Sequence, residues 1–323
     1  MRIKLGPYYV ETRIGRYLGY TPAYNSACFR DKFAEPDYYN RYGEKLDPFF
    51  ISDTYRAHDP YVPSRYMYFD RYNWGLKKHI YTCSNMLKPV GNPDIKYGAL
   101  TESRTIIPQD YDKIASNPAL CSEFKFIFTY DDRIMDRFSN AVFAPFSAYY
   151  WYGDSDPSNI RDDLYTYKTK NVSILASGKE LCHMHTVRKK LAVRCRQNGL
   201  ADTFGTFDGG AYIDSIDDTL KDYRFSIIIE NDVSDYYFTE KVTNCFISQT
   251  VPIYLGARRI GDFFDQDGII RISESDLDHI DELLESCTVE AYAEKIPAIM
   301  NNYERVKQFK NPWDFIYTNY ISK

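Results

Sequence analysis

The stretch Phe225–Ala257, FSIIIENDVSDYYFTEKVTNCFISQTVPIYLGA, reads as strand, loop, helix and strand in succession. Phe225 to Ile229 is a short apolar run rich in β-branched residues, the pattern of a strand buried on both faces of a parallel sheet. It ends in Glu230 and Asn231, polar side chains at a strand's carboxyl end, where open α/β sheets collect their ligands. Thr239 stands as an N-cap, and Val242, Cys245, Phe246 and Gln249 fall on one face of the helix that follows. Val251 to Leu255 is the second strand, closed by Gly256.

Lys241 sits in the first turn of that helix, where the macrodipole is positive and a cation costs about 0.3–1 kcal/mol. A lysine merely paired with the adjacent Glu240 is one reading. The other, which we prefer, has Lys241 and the free N–H groups of the first turn holding an anion together, most simply a phosphate.

The same alternation extends outward through the second half. Val172–Leu175, Thr203–Phe207 and Gly268–Ile272 read as strands. His183–Asn198 reads as a helix stopped by Gly199, Asp276–Cys287 as another, and Val289–Phe309 as a helical segment broken near Pro297. Strands alternating with helices predict parallel pairing and a doubly wound sheet. The first hundred residues carry turn-rich clusters at short spacing, with a strand expected at Arg65–Phe69 and a short helix within Tyr72–Tyr81. An aromatic strand at Phe124–Tyr130 ends in Asp131-Asp132. The turn-rich connection around Gly153–Ser158 places a domain boundary there, giving domains 1–155 and 156–323, with the last helices free to cross back onto the first.

Composition narrows the function classes. A chain of 323 residues suits two ordinary cores. A net charge of −5 argues against a nucleic-acid partner, so any anionic ligand must meet a local basic cluster. No apolar run approaches the roughly 18 residues of a membrane span, and the start is too polar for a signal peptide. Seven irregularly spaced cysteines fit free thiols in a reducing compartment, and without C-x-x-C spacing a structural zinc is not expected. Tyrosine, at 31 residues, is the compositional oddity; it suits a surface that grips sugars as well as it suits packing.

Glu230-Asn231, then Tyr237-Phe238-Thr239-Glu240-Lys241, then Val251-Pro252-Ile253-Tyr254-Leu255-Gly256-Ala257 resembles the donor-binding signature of the α1,3/α1,4-fucosyltransferases, glycosyltransferase family 10. The resemblance implies an α/β enzyme of the two-domain GT-B type, with a Rossmann-like doubly wound parallel sheet in the C-terminal domain. It further implies transfer of L-fucose from GDP-fucose to a hydroxyl of an acceptor glycan, with inversion and an α1,3-type linkage. Domain 1–155 would bind the acceptor and domain 156–323 the GDP-sugar. No metal would be obligatory, although a divalent ion could stimulate. Lacking the membrane anchor of animal members, the chain is expected to be cytoplasmic, like bacterial or viral ones.

Site residues follow from that resemblance. Lys241 and Arg188 would stabilise the departing diphosphate, Arg188 by forking across two phosphate oxygens. Tyr237 and Glu240 would contact the donor, Glu240 through ribose or sugar hydroxyls. Glu230 and Asn231 would face the fucose, with Glu230 balancing charge on the ring. His185, three residues before Arg188, would line the donor site. Glu102, in Thr101-Glu102-Ser103, matches the family's catalytic glutamate and would take the acceptor's proton. Asp232 stands where relatives often carry a serine-like residue, which keeps another GDP-sugar open as donor. A non-catalytic carbohydrate- or nucleotide-binding protein is the third alternative. Asp131-Asp132 lacks D-x-D spacing and reads as a turn and helix cap rather than a metal site.

Overall fold

The structure, a computed structural model, describes residues 38–53 and 63–323, together with the backbone of Arg2–Leu5 (β1) and Tyr8–Glu11 (β2), an antiparallel pair. The turn clusters expected at Pro22–Asn25 and Ala57–Val62 lie outside the described residues. The chain divides into two compact units, Met1–Ser147 with Asn311–Lys323, and Ala148–Lys310.

The first unit is built on a six-stranded parallel sheet. Its strands are Asp47–Ser52 (β3), Met67–Asp70 (β4), Lys78–Thr82 (β5), Ile95–Ala99 (β6), Phe126–Thr129 (β7) and Ala141–Phe143 (β8), in the order β4-β3-β5-β6-β7-β8. The expected helix within Tyr72–Tyr81 is absent. Asp70 Oδ1 instead accepts from the backbone N–H groups of Tyr72 and Asn73, which turns the chain, and the buried Ile80 and Tyr81 then enter β5. The helices Pro108–Ala115 (α1), Pro118–Cys121 (α2) and Asp132–Arg137 (α3) follow. One sheet face buries Phe49, Ile51, Met67, Phe69 and Phe128; Phe50, Met86, Tyr111 and Ile134 form a second cluster. Tyrosine-rich sequence here is thus partly core.

In the second unit, Lys170–Leu175 (β9) leads to His183–Asn198 (α4), whose predicted span is met to the residue. Gly199 terminates it at φ 72°, a left-handed conformation that suits glycine. Asp202–Phe204 (β10), Tyr223–Ile229 (β11), Glu240–Ile247 (α5), Val251–Leu255 (β12) and Ile270–Arg271 (β13) complete a parallel sheet of order β10-β9-β11-β12-β13. β11 is central, pairing Phe225 with both Val172 and Val251. Its Phe225, Ile227 and Ile229 lie in a core with Leu191 and Cys195 of α4, while Ser226 turns to the opposite face and meets Ser173 Oγ at 3.0 Å. Ile280–Glu285 (α6) covers only the second part of its expected span, since Glu274–His279 winds as a 3₁₀ turn. Val289–Val306 (α7) runs through Pro297 without the expected break, held from both sides by buried Tyr292 and Ile299.

The chain then returns to the first unit. Pro312–Ile316 (α8) lays Trp313 against Phe69 and Phe146, with ring centroids 5.1 and 5.2 Å apart. The expected 155/156 division thus falls at 147/148, and the closing segment packs with the first sheet.

Lys168 is buried in the second unit, its Nζ donating to Leu220 O at 2.8 Å and Thr250 Oγ1 at 2.9 Å, and burial pulls its pKa from 10.5 down to about 7. Between those two values the unfolded chain holds a proton that the native chain lacks, so stability rises with pH, by at most about 1.4 kcal/mol per unit from this group. Lys168→Met should flatten the rise in unfolding free energy between pH 7 and 9, measured by urea titration. An unchanged slope would assign the rise to other groups.

Candidate active site

The site forms where β11 ends and α5 begins. Glu230 is completely buried, and its Oε1 accepts from Thr239 N at 2.9 Å while Oε2 accepts from Thr239 Oγ1 at 2.7 Å. Lys241 Nζ lies 3.5 Å from Glu230 Oε2, 3.0 Å from Glu240 Oε1 and 2.9 Å from Thr239 Oγ1. Thr239 is the N-cap, as expected, and its hydroxyl accepts from Lys241 N. A cation in the first turn is therefore stabilised by two carboxylates that outweigh the dipole. Burial opposes charge on Lys241, but Glu240 and Glu230 together hold its pKa above the ordinary value. Burial also pushes the Glu230 carboxyl upward, opposed by Lys241 and the Thr239 bonds. Gly256 makes this packing possible, because a Cβ there would lie 2.6 Å from Glu230 Cγ and 2.4 Å from Tyr254 Oη.

Arg188 reaches the same place from α4. Its Nη1 donates to Ile229 O at 2.5 Å and Nη2 to Asn231 Oδ1 at 3.3 Å. Three other cations on this helix are spent outward: Lys189 pairs with Glu180, Arg194 with Asp281 and Arg196 with Asp208. Burial lowers the Arg188 pKa, with Glu230 and Glu240 opposing. Arg188, Glu240 and Lys241 line one recess of about 160 Å³. Its apolar wall comes from Leu175, Ile228, Ile216 and Leu220. The wall turn is pinned by buried Asp217, which accepts from Gly153 N at 2.9 Å and Asn159 Nδ2 at 2.7 Å.

The remaining expected residues sit behind this recess rather than in its lining. Glu230 offers no exposed oxygen; it braces Lys241 and the helix start instead of facing a sugar ring. Asn231 orients Arg188. Tyr237 is buried just ahead of the helix. His185 is buried, its Nδ1 accepting from Leu181 N at 3.1 Å, and burial followed by Arg188 lowers its pKa. It holds the loop after β9.

In the first unit, Glu102 lies just past the carboxyl end of β6. Its Oε1 accepts from Ser103 N at 2.8 Å, and its carbonyl accepts from Tyr111 Oη at 2.7 Å. Asp131 caps α3 through Ile134 N and forks onto Arg104 at 2.7 and 2.8 Å, which accounts for the Asp131-Asp132 pair as structure. Two residues escaped the sequence reading. Trp151 and Asn244 both line the recess, and Asn244 Oδ1 accepts from Trp151 N at 2.7 Å and Tyr152 N at 2.9 Å. Asn244 was findable: it lies three residues past Lys241, on the same helical face. Nothing local marks Trp151.

Two units, each built on a parallel sheet, with Arg188 and Lys241 brought together at one helix start of the second, give the α/β architecture of the GT-B type. The comparisons carry this further. Residues 165–310 match the family profile described as glycosyltransferase family 10 (fucosyltransferase) C-term. Residues 165–310 thus carry a C-terminal domain of the glycosyltransferase family 10 type, and the chain is a glycosyltransferase. Among solved structures it is similar to an α1,3-fucosyltransferase at 14% identity and TM-score 0.50, covering 85% of each chain. It is also similar to an α1,3-fucosyltransferase described with GDP, at 12% identity and TM-score 0.52 over 89% of this chain and 94% of that one. HepE of Anabaena, described in complex with UDP-glucose, shares 9% identity with TM-score 0.50 over 76% and 78%. At these identities the likeness concerns the fold. No curated protein matches the sequence.

Removing the cap tests the helix start. Thr239→Val deletes the acceptor for Lys241 and a donor to buried Glu230, and should lower unfolding free energy by about 1–2 kcal/mol. Urea denaturation measures this, and an unchanged midpoint would rule out the cap as a stabilising element.

Proposed function

We propose that the protein is an inverting fucosyltransferase that moves L-fucose from GDP-fucose to a hydroxyl of an acceptor glycan, with an α1,3-type linkage. The observation that carries this reading is the convergence of Arg188 and Lys241 on one recess at the start of α5. The family profile is that of fucosyltransferases, and one fold relative is described with GDP. The GDP-sugar is assigned to the unit Ala148–Lys310 and the acceptor to the unit containing Glu102.

In the proposed step the acceptor oxygen attacks the anomeric carbon, the bond from that carbon to the β-phosphate oxygen breaks, and GDP departs. Glu102 takes the acceptor's proton. Lys241 and Arg188 offset the charge that grows on the diphosphate, Arg188 as a fork and Lys241 as a point charge. Glu240, 3.0 Å from Lys241, can release the ammonium to phosphate and accept from a donor hydroxyl. Glu230 keeps Lys241 charged and the helix start in place. Tyr237, Asn231 and His185 support these groups from behind. No anchor is required for this chemistry, and among the described residues no helix is long and apolar enough to cross a membrane. We place the reaction in the cytoplasm on the free cysteines.

Calorimetric titration with GDP-fucose, GDP-mannose and UDP-galactose tests the donor. GDP-fucose should bind best, and Lys241→Ala should weaken it about 10–100-fold; preference for another sugar nucleotide would overturn the fucose assignment. Glu102→Gln should cut kcat about 10²–10⁴-fold while GDP affinity stays constant. A parallel loss of affinity would remove Glu102 from the role of base.

A further inference from the structure

Among the described residues, Trp151 is the one large aromatic side chain in the lining of the recess. It is 37% exposed, in a unit whose other large apolar residues are mostly buried. Its position is fixed rather than incidental. Asn244, itself 1% exposed, accepts from the backbone N–H groups of Trp151 and Tyr152, and the Tyr149 ring lies 6.0 Å from the indole. These two N–H donors fix the Asn244 carboxamide with its oxygen toward the 151–152 backbone. Its Nδ2 is left buried without a hydrogen-bond partner, on a residue that lines the same recess. A buried unpaired amide costs about 1–3 kcal/mol, so its retention marks a place built for something other than packing. Asn244 follows Lys241 by three residues on one helix face, roughly one turn from the cations.

We propose that Trp151 is a donor-recognition residue: its indole face stacks on the uncharged ring that adjoins the diphosphate, and Asn244 is the positioning residue that holds it there. This deepens the donor-site reading above and rests on it. The chemistry required is a flat or apolar ring face beside an acceptor atom. The nucleobase offers that through its π-face and ring acceptors, and the sugar through its C–H face and hydroxyl oxygens. An indole serves either.

The test uses the full chain, its intrinsic fluorescence and three probes: GDP, GDP-fucose and inorganic pyrophosphate. The sequence holds three tryptophans, so Trp151→Phe isolates one emitter. GDP or GDP-fucose should change wild-type emission, and Trp151→Phe should abolish the change while affinity stays within about threefold. Trp151→Ala should weaken binding about tenfold, with pyrophosphate affinity unchanged. Equal weakening of GDP and GDP-fucose identifies the base as the stacked ring; weakening of GDP-fucose alone identifies the sugar. Unaltered affinity in Trp151→Ala, or an equal loss for pyrophosphate, overturns the proposal while leaving the donor site standing. If wild type binds neither GDP nor GDP-fucose, the donor reading fails and this proposal with it. Asn244→Asp keeps both acceptor contacts but lacks the Nδ2 donor, so it should bind GDP more weakly yet retain the emission change at saturating GDP. Asn244→Leu loses the contacts and should lose the change in a chain that still melts cooperatively. Equal emission responses in the two variants would remove Asn244 from its positioning role.

Discussion

The second unit depends on one buried carboxylate. Glu230 has no contact with solvent, and an isolated ionised acid in that place would be several kcal/mol uphill. It is tolerated because Thr239 supplies an N–H and a hydroxyl and Lys241 a charge. Those contacts close the loop between residues 230 and 239 and fix where α5 begins. Glu230 N in turn donates to Leu255 O at 2.9 Å, so the carboxylate's height is set by the β11–β12 register. Gly256, the residue that follows β12, leaves the space that the side chain occupies. Strand register, loop closure and cation position are thus one linked constraint.

That constraint explains how an acidic chain can present a cationic site. The cluster balances Arg188 and Lys241 against Glu230 and Glu240, so it is close to neutral and needs no compensating field from the rest of the protein. The acids differ in freedom. Glu230 is locked by Thr239, whereas Glu240 is partly exposed and bound to Lys241 through a single contact. On the proposed donor reading, an anion reaching Lys241 displaces only the half-open Glu240 contact. The low-dielectric setting strengthens whatever replaces it, because Arg188 is almost fully buried.

Legibility in the sequence tracks how local each feature is. Strand β11, the Thr239 cap, the α4 span and Gly199 were readable because period, cap chemistry and C-terminal glycine all act within a few residues. Arg188 could be separated from its neighbours only through the family resemblance, since Lys189, Arg194 and Arg196 differ from it in their distant acidic partners. Of the first unit's sheet only β4 and β7 were readable, because its strands are short, four to six residues for β3 to β7, and broken by turn signals. Its tyrosines left surface and packing equally open, and Tyr81, Tyr97 and Tyr111 are core. Pro297 misled in the opposite direction, because tertiary packing on both sides kept α7 continuous.

The recess itself is the least local object in the chain. Its walls come from the 3₁₀ turn at Ile216–Thr219, the end of β9, one face of α5 and the segment around Trp151. Three polar fastenings hold these walls: Asp217 to Gly153 and Asn159, Lys168 to Leu220, and Asn244 to Trp151 and Tyr152. All three fastenings are polar side chains at or below one-twentieth exposure that bond backbone groups of another segment. Packing alone would have been met more cheaply by apolar residues, which carry no desolvation cost. Polar fastenings instead fix direction, and a binding wall needs direction more than a core does. The local motif at α5 therefore identifies the charge that the site handles, while these long-range bonds determine the shape of what may sit beside that charge.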